Sequence, residues 1–527
     1  MKMLRALWLC TALWPAVTVL PQLARAQEAP HTAGDNRTVA QLAAAAAGGD
    51  AEAAETLGVI YFTGNGVPKD EARAVPLFRQ GVAANRSGSE NFLGRMTMHG
   101  LGGLKADPAA AVALYEKSAD QGDPSGEYNL GYCYDTGSGV AADPARAAQL
   151  YRKAADRDDT NAQLALANLY YDGRGVDKNL SRAMGYFLLA ARKGNPTAQL
   201  WVGYMFQNGE GVTKDAPTAA VWLAQSANGG NSAAMLNLGL LYFNGDDKLA
   251  PDFVAARSWL QKAADAGETT ANYYLGIIYA EGDGIPADPV KARAYFTVSA
   301  DKGGGWSQYY LGLGYLDDSV PGNDPVKAAE WLQKAAAQDV APAQGMLGGL
   351  YWHGKGVKAD AAQAAALFTK AAAAGHTPSM LGLGDMYRAG DGVARDSAQA
   401  IAWYQKAADA GNPAGWSAMG DLYQSGDGVT ADYTQALAFY HKAADGGDTH
   451  GQYELGRMYE HAYGVPQDPA TAYGWYLIAD GNGDSDGQAA VARLGKKLSL
   501  GEIARAKNQV KTYKPASAQP AAVKGSS

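Results

Sequence analysis

Apolar residues along this chain recur at helical spacing, in short blocks that repeat one phrase of leucine, glycine and aromatic residues. In one block, Leu383, Gly384, Met386 and Tyr387 fall on one side of a helix, because residues three and four apart share a helical face. Gly384 would let a neighbouring helix approach, and Tyr387 would fill the space beyond it. Long strand-like alternation of apolar and polar residues is missing, so the pattern predicts helices throughout.

The phrase returns at an almost constant interval. Twelve copies follow one another at a spacing of 36 residues, which becomes 37 at two places. A register kept over so much chain indicates tandem repeats rather than separate domains. The sequence therefore predicts an all-α fold, an α/α superhelical solenoid of about twelve helix-turn-helix repeats. We refer to the first residue of each copy as its anchor, and the anchors are Leu57, Leu93, Leu130, Leu166, Val202, Leu238, Leu275, Leu311, Leu347, Leu383, Met419 and Leu455.

A turn and a second helix complete each copy. The first helix, helix A, would end at glycines such as Gly390, which take the positive φ that closes a helix, and Asp396 would cap the second, helix B. Pro follows the capping Asp in five copies, as is typical of the first helical position. An aromatic residue recurs in helix B, and we expect it to pack in the core at the seam between repeats. Its tryptophan examples are Trp222, Trp259, Trp331, Trp403 and Trp475.

These residues resemble the Sel-1-like repeat, a relative of the tetratricopeptide repeat. The resemblance covers approximately Ala40 to Asp480. It implies a curved α-solenoid whose A helices line a concave surface, and a role as adaptor or scaffold for other proteins; some bacterial members are secreted or periplasmic. A cysteine-rich branch is linked to penicillin binding, and this chain lacks those cysteines. The resemblance is carried by Leu383-Gly384, Tyr387, Gly390-Asp391-Gly392-Val393, Asp396 and Lys406-Ala407-Ala408.

The first 26 residues have the pattern of a secretory signal peptide. A basic start at Lys2 and Arg5 precedes an apolar run from Leu7 to Leu20, and Ala24-Arg25-Ala26 is a small-x-small cleavage site. We therefore expect cleavage near Ala26 and a mature protein that is periplasmic or secreted. No later apolar stretch approaches the roughly 18 residues of a membrane-spanning helix, so stable membrane insertion is not expected.

The rest of the chain divides at the ends of the repeat array. A capping box at Ser499 and Glu502 predicts a last helix beyond the repeats. The predicted domains are a signal peptide (1–26), an N-terminal segment with a capping helix (27–52), twelve repeats (53–480), C-terminal capping helices (481–512) and a disordered tail (513–527).

Charge and cysteine content narrow the classes of partner. The formal charge of −8 becomes −11 without the signal peptide, and acidic and basic residues are interleaved along the chain. No nucleic-acid partner is expected, because phosphate binding needs a concentrated basic face. Cys133 is the one cysteine left after cleavage, so no internal disulfide can form. Its place among apolar residues predicts a small buried side chain.

Motifs of catalysis, cofactor binding and metal binding do not emerge from the sequence. His99, His353 and His461 share one place in different repeats, several repeats apart, and we interpret them as solvated helix-end residues rather than metal ligands. The loop Asn482-x-Asp484-x-Asp486-Gly487 resembles half of a calcium loop, but Arg493 stands where a bidentate Glu is needed, which favours a polar turn. We expect no cofactor, no metal and no enzyme activity.

We expect a partner on the side of helix A that faces away from its packing side. Residues one before, two after and five after the anchor lie there. They are apolar in the middle repeats, whereas Asp385, Asp421 and Glu454 occupy this side in the last three. Exposed apolar patches are rare on solitary proteins, which favours a partner, and tight curvature that packs these residues together is the alternative. The predicted partner-binding residues are Trp201, Tyr204, Leu240, Phe243, Tyr274, Ile277, Tyr310, Leu313, Leu316 and Trp352.

The sequence thus predicts a non-enzymatic protein-interaction scaffold that captures an extended or helical segment of another protein in the groove of repeats five to nine. The second hypothesis is an envelope scaffold that binds or exports polysaccharide, because exposed Tyr and Trp suit sugar rings. The third is a hydrolase similar to β-lactamases, by analogy with the cysteine-rich branch, for which no Ser-x-x-Lys constellation with convergent partners is present.

Overall fold

The computed structural model describes residues 37–514, and helices dominate this range. It contains 27 α-helices, and its β-type pairing is a single isolated bridge between Asp246 and Leu249. The all-α class and the repeated helix pairs are therefore confirmed. The chain forms two compact units, which we call unit 1 (37–287 of the described residues) and unit 2 (288–514). Even-numbered helices α2 to α24 are A helices and odd-numbered helices α3 to α25 are B helices.

Unit 1 holds a first short helix, the helix pairs of repeats 1–6 and helix A of repeat 7. A 3₁₀ turn, Leu101–Gly103, follows its fourth helix. Its helices are α1 Val39–Ala47, α2 Ala51–Thr63, α3 Glu71–Ala83, α4 Ser87–His99, α5 Pro108–Asp120, α6 Pro124–Thr136, α7 Pro144–Asp156, α8 Thr160–Asp172, α9 Leu180–Arg192, α10 Pro196–Asn208, α11 Ala216–Asn228, α12 Ser232–Asn244, α13 Phe253–Asp265 and α14 Thr269–Glu281.

Unit 2 holds helix B of repeat 7, the helix pairs of repeats 8–12 and two further helices. The helices are α15 Pro289–Asp301, α16 Gly305–Leu316, α17 Pro325–Ala336, α18 Ala341–His353, α19 Ala361–Ala373, α20 Thr377–Ala389, α21 Ser397–Asp409, α22 Ala414–Ser425, α23 Tyr433–Asp445, α24 Thr449–His461, α25 Pro469–Gly481, α26 Ser485–Leu494 and α27 Leu500–Thr512. No described helix is both long enough and apolar enough to span a membrane.

Most helix pairs close where the glycine after the anchor meets a large side chain of helix B; repeat 4 has Ala167 at this place. At Gly384 an added Cβ would lie 2.3 Å from Cε1 of Tyr404, a ring that is fully buried. The same contact joins Gly131 to Tyr151, where the distance would be 2.8 Å. The glycine therefore makes room for a core ring contributed by the second helix, which explains its recurrence beside the anchor.

Four of the five helix B tryptophans are only partly buried: Trp222, Trp259 and Trp403 pack against core clusters as expected, but at their edge, and the next residue fills the core. Trp403 is half exposed, whereas the next residue, Tyr404, is buried. Consecutive residues lie about 100° apart around a helix, so only one of the two can face the partner helix. Lys406 follows Trp403 by one turn, and its Nζ lies 3.9 Å from the ring centre, a cation–π contact. The same contact joins Lys262 to Trp259 and Lys334 to Trp331.

The aspartates predicted to cap helix B form the expected hydrogen bonds. Asp396 accepts a hydrogen bond from the backbone N–H of Gln399 at 3.0 Å. Helix A is capped as well, a feature that sequence analysis missed: Asp159 accepts from the N–H of Ala162 at 2.7 Å. The prolines predicted at the first position of helix B are confirmed there, namely Pro108, Pro144, Pro289, Pro325 and Pro469.

Three turns between helices A and B depart from the glycine pattern. After α12, Asp246 and Leu249 form the isolated bridge. After α16, Asp317 is extended and Val320 is buried. After α24, Ala462 takes the left-handed conformation that glycine holds elsewhere, with φ 60°. The turn after α24 therefore keeps the left-handed backbone conformation, although this conformation is unfavourable for alanine.

Both ends of the described chain carry a capping box: the one at Ser499 was predicted, and the one at Thr38 was not. Thr38 caps α1 and Ser499 caps α27, and each exchanges two hydrogen bonds with the third residue of its helix. Tyr513, placed in the tail by the sequence, packs on the ring of Trp475 with centroids 5.2 Å apart, which is why this tryptophan alone is buried. The predicted signal peptide and residues 515–527 lie outside the described residues.

Candidate functional site

The candidate site is the side of the A helices that faces away from their B helices. We number positions from the anchor and call the side chains at −1, +2 and +5 the inner face. Neighbouring A helices touch each other directly, as α4 and α6 do in unit 1 and α22 and α24 in unit 2. Successive repeats therefore bring their inner-face side chains together.

In repeats 4 and 5 the inner face is an aromatic cluster. The ring of Trp201 stacks on the buried ring of Phe187, with centroids 5.4 Å apart and planes within 8°. Tyr171 and Tyr204 flank the same indole at 4.9 and 5.8 Å. The Tyr171 hydroxyl donates to Glu210 at 2.6 Å, and Nε1 of Trp201 is buried without an acceptor. The rings are thus held rigidly beside a carboxylate.

In repeats 6 and 7 the predicted residues again meet across the repeat boundary. Phe243 and Tyr274 are in edge contact, with centroids 5.3 Å apart. Ile277 is 8 % exposed and belongs to the core, whereas Leu240 is half exposed. Burial raises the pKa of the Tyr274 hydroxyl. These residues form a second apolar patch within unit 1.

In unit 2 the predicted residues lie along repeats 8 and 9. Tyr310 stacks on the buried ring of Phe296, with centroids 5.2 Å apart and planes within 11°. Leu313 and Leu316 are half buried against a core cluster that includes Leu332 and Leu347. Trp352 donates its indole N–H to Asp391 of the next repeat. Each of these side chains is therefore anchored by its own or a neighbouring repeat.

None of the ten predicted residues is fully exposed; nine are half buried and Ile277 is buried. The large apolar side chains that are most exposed lie elsewhere, among them Leu189, Val221 and Val254. Packing between repeats accounts for much of the inner apolar face, in agreement with the alternative weighed from sequence. Binding of a partner by these ten residues stays a prediction.

A polar link between successive repeats was missed by the sequence analysis. The side chain at +5 of one repeat bonds the side chain at +8 of the next, 39 residues on. One example is the pair of Asp135 and Arg174, at 2.7 Å. The spacing of hydrogen-bonding residue types at 39 was a signal available in the sequence. The further pairs are Tyr171 with Glu210, Trp352 with Asp391, and Arg388 with Asp427.

In the last repeats, core tyrosines reach the inner face. Tyr404 and Tyr440 cross over the glycines beside the anchors, and their hydroxyls donate to Asp385 and Asp421, each at 2.7 Å. Nε2 of His450 lies 3.0 Å from Asp421, and this hydrogen bond raises the pKa of the histidine to about 9. His450 is therefore protonated at neutral pH, and the pair links repeats 11 and 12.

Repeat 12 carries a third such tyrosine. Tyr476 donates to Glu460 at 2.8 Å, and Nη2 of Arg493 bonds the same carboxylate at 2.7 Å. Arg493 is thus a structural partner of helix α24. Asp484 caps α26 by accepting from the N–H of Gly487 at 2.6 Å, so the calcium-like loop is an ordinary turn from α25 into α26.

The remaining polar candidates have structural surroundings. His99, His353 and His461 are exposed at helix ends, as expected. Within residues 37–514 no group of three or more His, Cys, Asp and Glu side chains is placed to hold a metal ion. Cys133 is 1 % exposed, and burial raises the pKa of its thiol to about 11. It is the buried apolar residue that the sequence predicted.

Comparison with known proteins agrees with this architecture. The Sel1 repeat family model matches the chain twelve times. The crystal structure of a protective antigen present in uropathogenic Escherichia coli strains, which displays an SLR fold, is 29% identical with a TM-score of 0.64, over 90% of this chain and 94% of that one. A Sel1 repeat protein from Oxalobacter formigenes is 30% identical with a TM-score of 0.48, over 60% of this chain and 93% of that one. No curated protein matches the chain. The family matches are residues 51–85, 87–123, 124–159, 160–195, 196–231, 232–268, 269–304, 307–340, 341–376, 377–412, 417–448 and 449–479.

Proposed function

The chain belongs to the Sel1 repeat family, and from this premise we propose that it is a non-enzymatic scaffold that binds a segment of a partner protein on the inner face of its A helices. Stacked helix repeats present long surfaces suited to such binding. We place the binding surface of unit 1 on repeats 5 and 6, at Trp201, Tyr204, Leu240 and Phe243.

The observation that carries the proposal is the aromatic cluster of repeats 4 and 5. Stacking on Phe187 fixes the indole of Trp201. A partner that contacts this indole therefore costs little side-chain conformational entropy. Tyr204 is half exposed beside it, and Glu210 supplies a polar rim. Rigid aromatic side chains with polar neighbours are the usual centres of protein–protein contacts.

We also propose that the protein acts in the bacterial envelope or outside the cell. The support is the basic start, apolar run and small-x-small site of residues 1–26. Fractionation of cells that express the full chain, followed by N-terminal sequencing, tests this. A mature chain that starts at Gln27 in the periplasm or medium is expected, and an uncleaved cytoplasmic chain would contradict export.

Binding is tested by crosslinked pull-down from periplasmic extract with the Tyr204→Ser, Leu240→Ser double variant. Neither residue stacks on a buried core ring, so helicity should be retained, while capture of the partner that the unaltered chain enriches should fall about tenfold. Val254→Ser on the B-helix side, where the valine is 53% exposed, is the matched control. Equal capture by both variants would contradict the inner-face assignment.

The same protein preparation also distinguishes polysaccharide binding from protein binding. A glycan array probed with the unaltered chain and the double variant reports sugar binding at this surface. Specific glycan binding that the double variant loses, without any crosslinked protein, would replace protein capture by sugar binding.

A further inference from the structure

The last B helix shows how this array accommodates an extra helix on its outer side. Helix α27 packs along α25, and at Gly474 an added Cβ would lie 2.3 Å from Oε1 of Gln509. Tyr513, just past α27, covers Trp475. The glycine is what allows the close approach, because any larger residue would occupy the space that Gln509 fills.

Helix α9 in unit 1 has the same surface without a helix on it. Gly185 and Tyr186 stand at the positions of Gly474 and Trp475, and among the twelve B helices only these two carry glycine there. A Cβ at Gly185 would meet nothing within 4 Å, and Leu189, one turn on, is 43% exposed. Glycine weakens a helix interior, and no neighbouring group of the described chain requires one at Gly185.

Two arginines beside this surface have no salt-bridge partner among the described residues. Arg152 of α7 donates to the hydroxyl of the buried Tyr170 at 2.6 Å, and Arg182 of α9 donates to the same oxygen at 3.4 Å. Both arginines are exposed, and no carboxylate of the described chain forms a salt bridge with either. Two like charges gathered on one neutral oxygen attract an anionic group, which would bridge them. The fold thus creates a local basic site. It is not visible in the sequence, where acidic and basic residues alternate.

Charge decides which helix this surface would accept. The chain's own α27 is basic, with Arg505, Lys507 and Lys511 against Glu502. A second copy of α27 would therefore be repelled by Arg152 and Arg182, whereas an acidic helix would be attracted.

We propose that the outer side of α9 binds an acidic amphipathic helix of a partner protein. The helix lays a stripe of small and apolar residues over Gly185 and Leu189, as α27 does over α25, and its carboxylates pair with Arg152 and Arg182. This surface is separate from the inner face and does not depend on the function proposed for it.

The test uses a fluorescent peptide of residues 499–513 in which Arg505→Glu, Lys507→Glu and Lys511→Glu reverse the charge but keep the apolar stripe. Anisotropy with the full chain should show binding that weakens with salt. The Arg152→Ala, Arg182→Ala double variant should bind about tenfold more weakly, and Leu189→Glu should bind more weakly still. The Lys302→Ala, Lys370→Ala double variant, which removes two exposed charges of unit 2, should bind as the unaltered chain does.

Three outcomes would overturn the proposal. The first is binding of the unmodified basic peptide as tightly as the acidic one. The second is acidic-peptide binding that is absent, or that is unchanged in the Arg152→Ala, Arg182→Ala variant. The third is self-association of the unaltered chain that Leu189→Glu abolishes in sedimentation, since a second copy would then be the occupant.

Discussion

Replacing Gly384 by alanine adds one methyl group at the point where α20 and α21 come closest. The new Cβ would lie 2.3 Å from Cε1 and 2.5 Å from Cδ1 of Tyr404, far inside the roughly 3.5–4.0 Å of a carbon–carbon contact. The ring cannot easily retreat, because it is fully buried and its hydroxyl is held by Asp385 at 2.7 Å. The two helices must therefore move apart.

The magnitude follows from two opposing effects. Overpacking a tight core by one carbon costs about 1–3 kcal/mol. Alanine in place of glycine in a helix interior returns about 0.5–1 kcal/mol. The difference between the midpoints of these two ranges is about 1 kcal/mol, so we expect Gly384→Ala to lower the free energy of unfolding by about that amount. Gly185→Ala is the matched change without a clash, because no atom lies within 4 Å of the new Cβ, and it should stabilise the chain by about 0.5–1 kcal/mol.

Urea denaturation followed by circular dichroism measures both effects as shifts in the unfolding midpoint, in opposite directions. A third variant, Gly384→Ala combined with Tyr404→Ala, removes the ring, so alanine at 384 should no longer be destabilising in that background. Equal effects of the two Gly→Ala changes, or an unchanged penalty without the ring, would refute the close packing of α20 on α21.

Three further outcomes are expected. Ala462→Gly should raise the free energy of unfolding by about 1 kcal/mol in the same urea assay, because it relieves a left-handed alanine, and a destabilised variant would contradict the φ of 60°. The pKa of His450 is raised from 6.5 to about 9, so its pairing with Asp421 stabilises the fold fully below pH 6.5 and is lost as pH rises through 9. The unfolding midpoint of the native chain should therefore fall across that window more than that of His450→Gln, by an amount that salt reduces because the histidine is partly exposed; parallel profiles would argue against the pair. Cys133 should resist alkylation by iodoacetamide at neutral pH until urea unfolds the chain, since its thiol is buried with a pKa of about 11, and rapid labelling of the native chain would show that it is accessible.

The repeat architecture was within reach of the sequence because the residues that set it act locally. Asp396 caps its own helix and Gly390 closes its own helix, so a strict period of such residues predicts the helix pairs and their order. The choice between Trp403 and Tyr404 as core residue was harder, because both are aromatic and adjacent. Which of the two residues faces the core depends on how helix B is rotated about its axis relative to helix A, and packing sets that rotation.

The candidate site was predicted less completely, for the same reason. Inner-face positions can be counted from the anchor, but the half burial of Trp201 depends on Phe187 of the preceding repeat. Arg152 and Arg182 are thirty positions apart and come together only because both reach the hydroxyl of Tyr170, which lies on the A helix between them. Acidic and basic residues that alternate along the sequence can therefore still form a charged patch on the folded chain. Side chains that are neighbours in space come from successive repeats, not from adjacent positions in the sequence.

The tyrosines that cross from the B helices over the anchor glycines have a consequence for how such a surface can change. Tyr440 fills interior volume with its ring while its hydroxyl holds Asp421 on the opposite side. Exchange of tyrosine for phenylalanine at this buried position would remove a hydrogen bond to Asp421 without replacing any residue of the inner face. Evolution, or a protein designer, can therefore change the polar pattern of the inner face repeat by repeat through residues of the core.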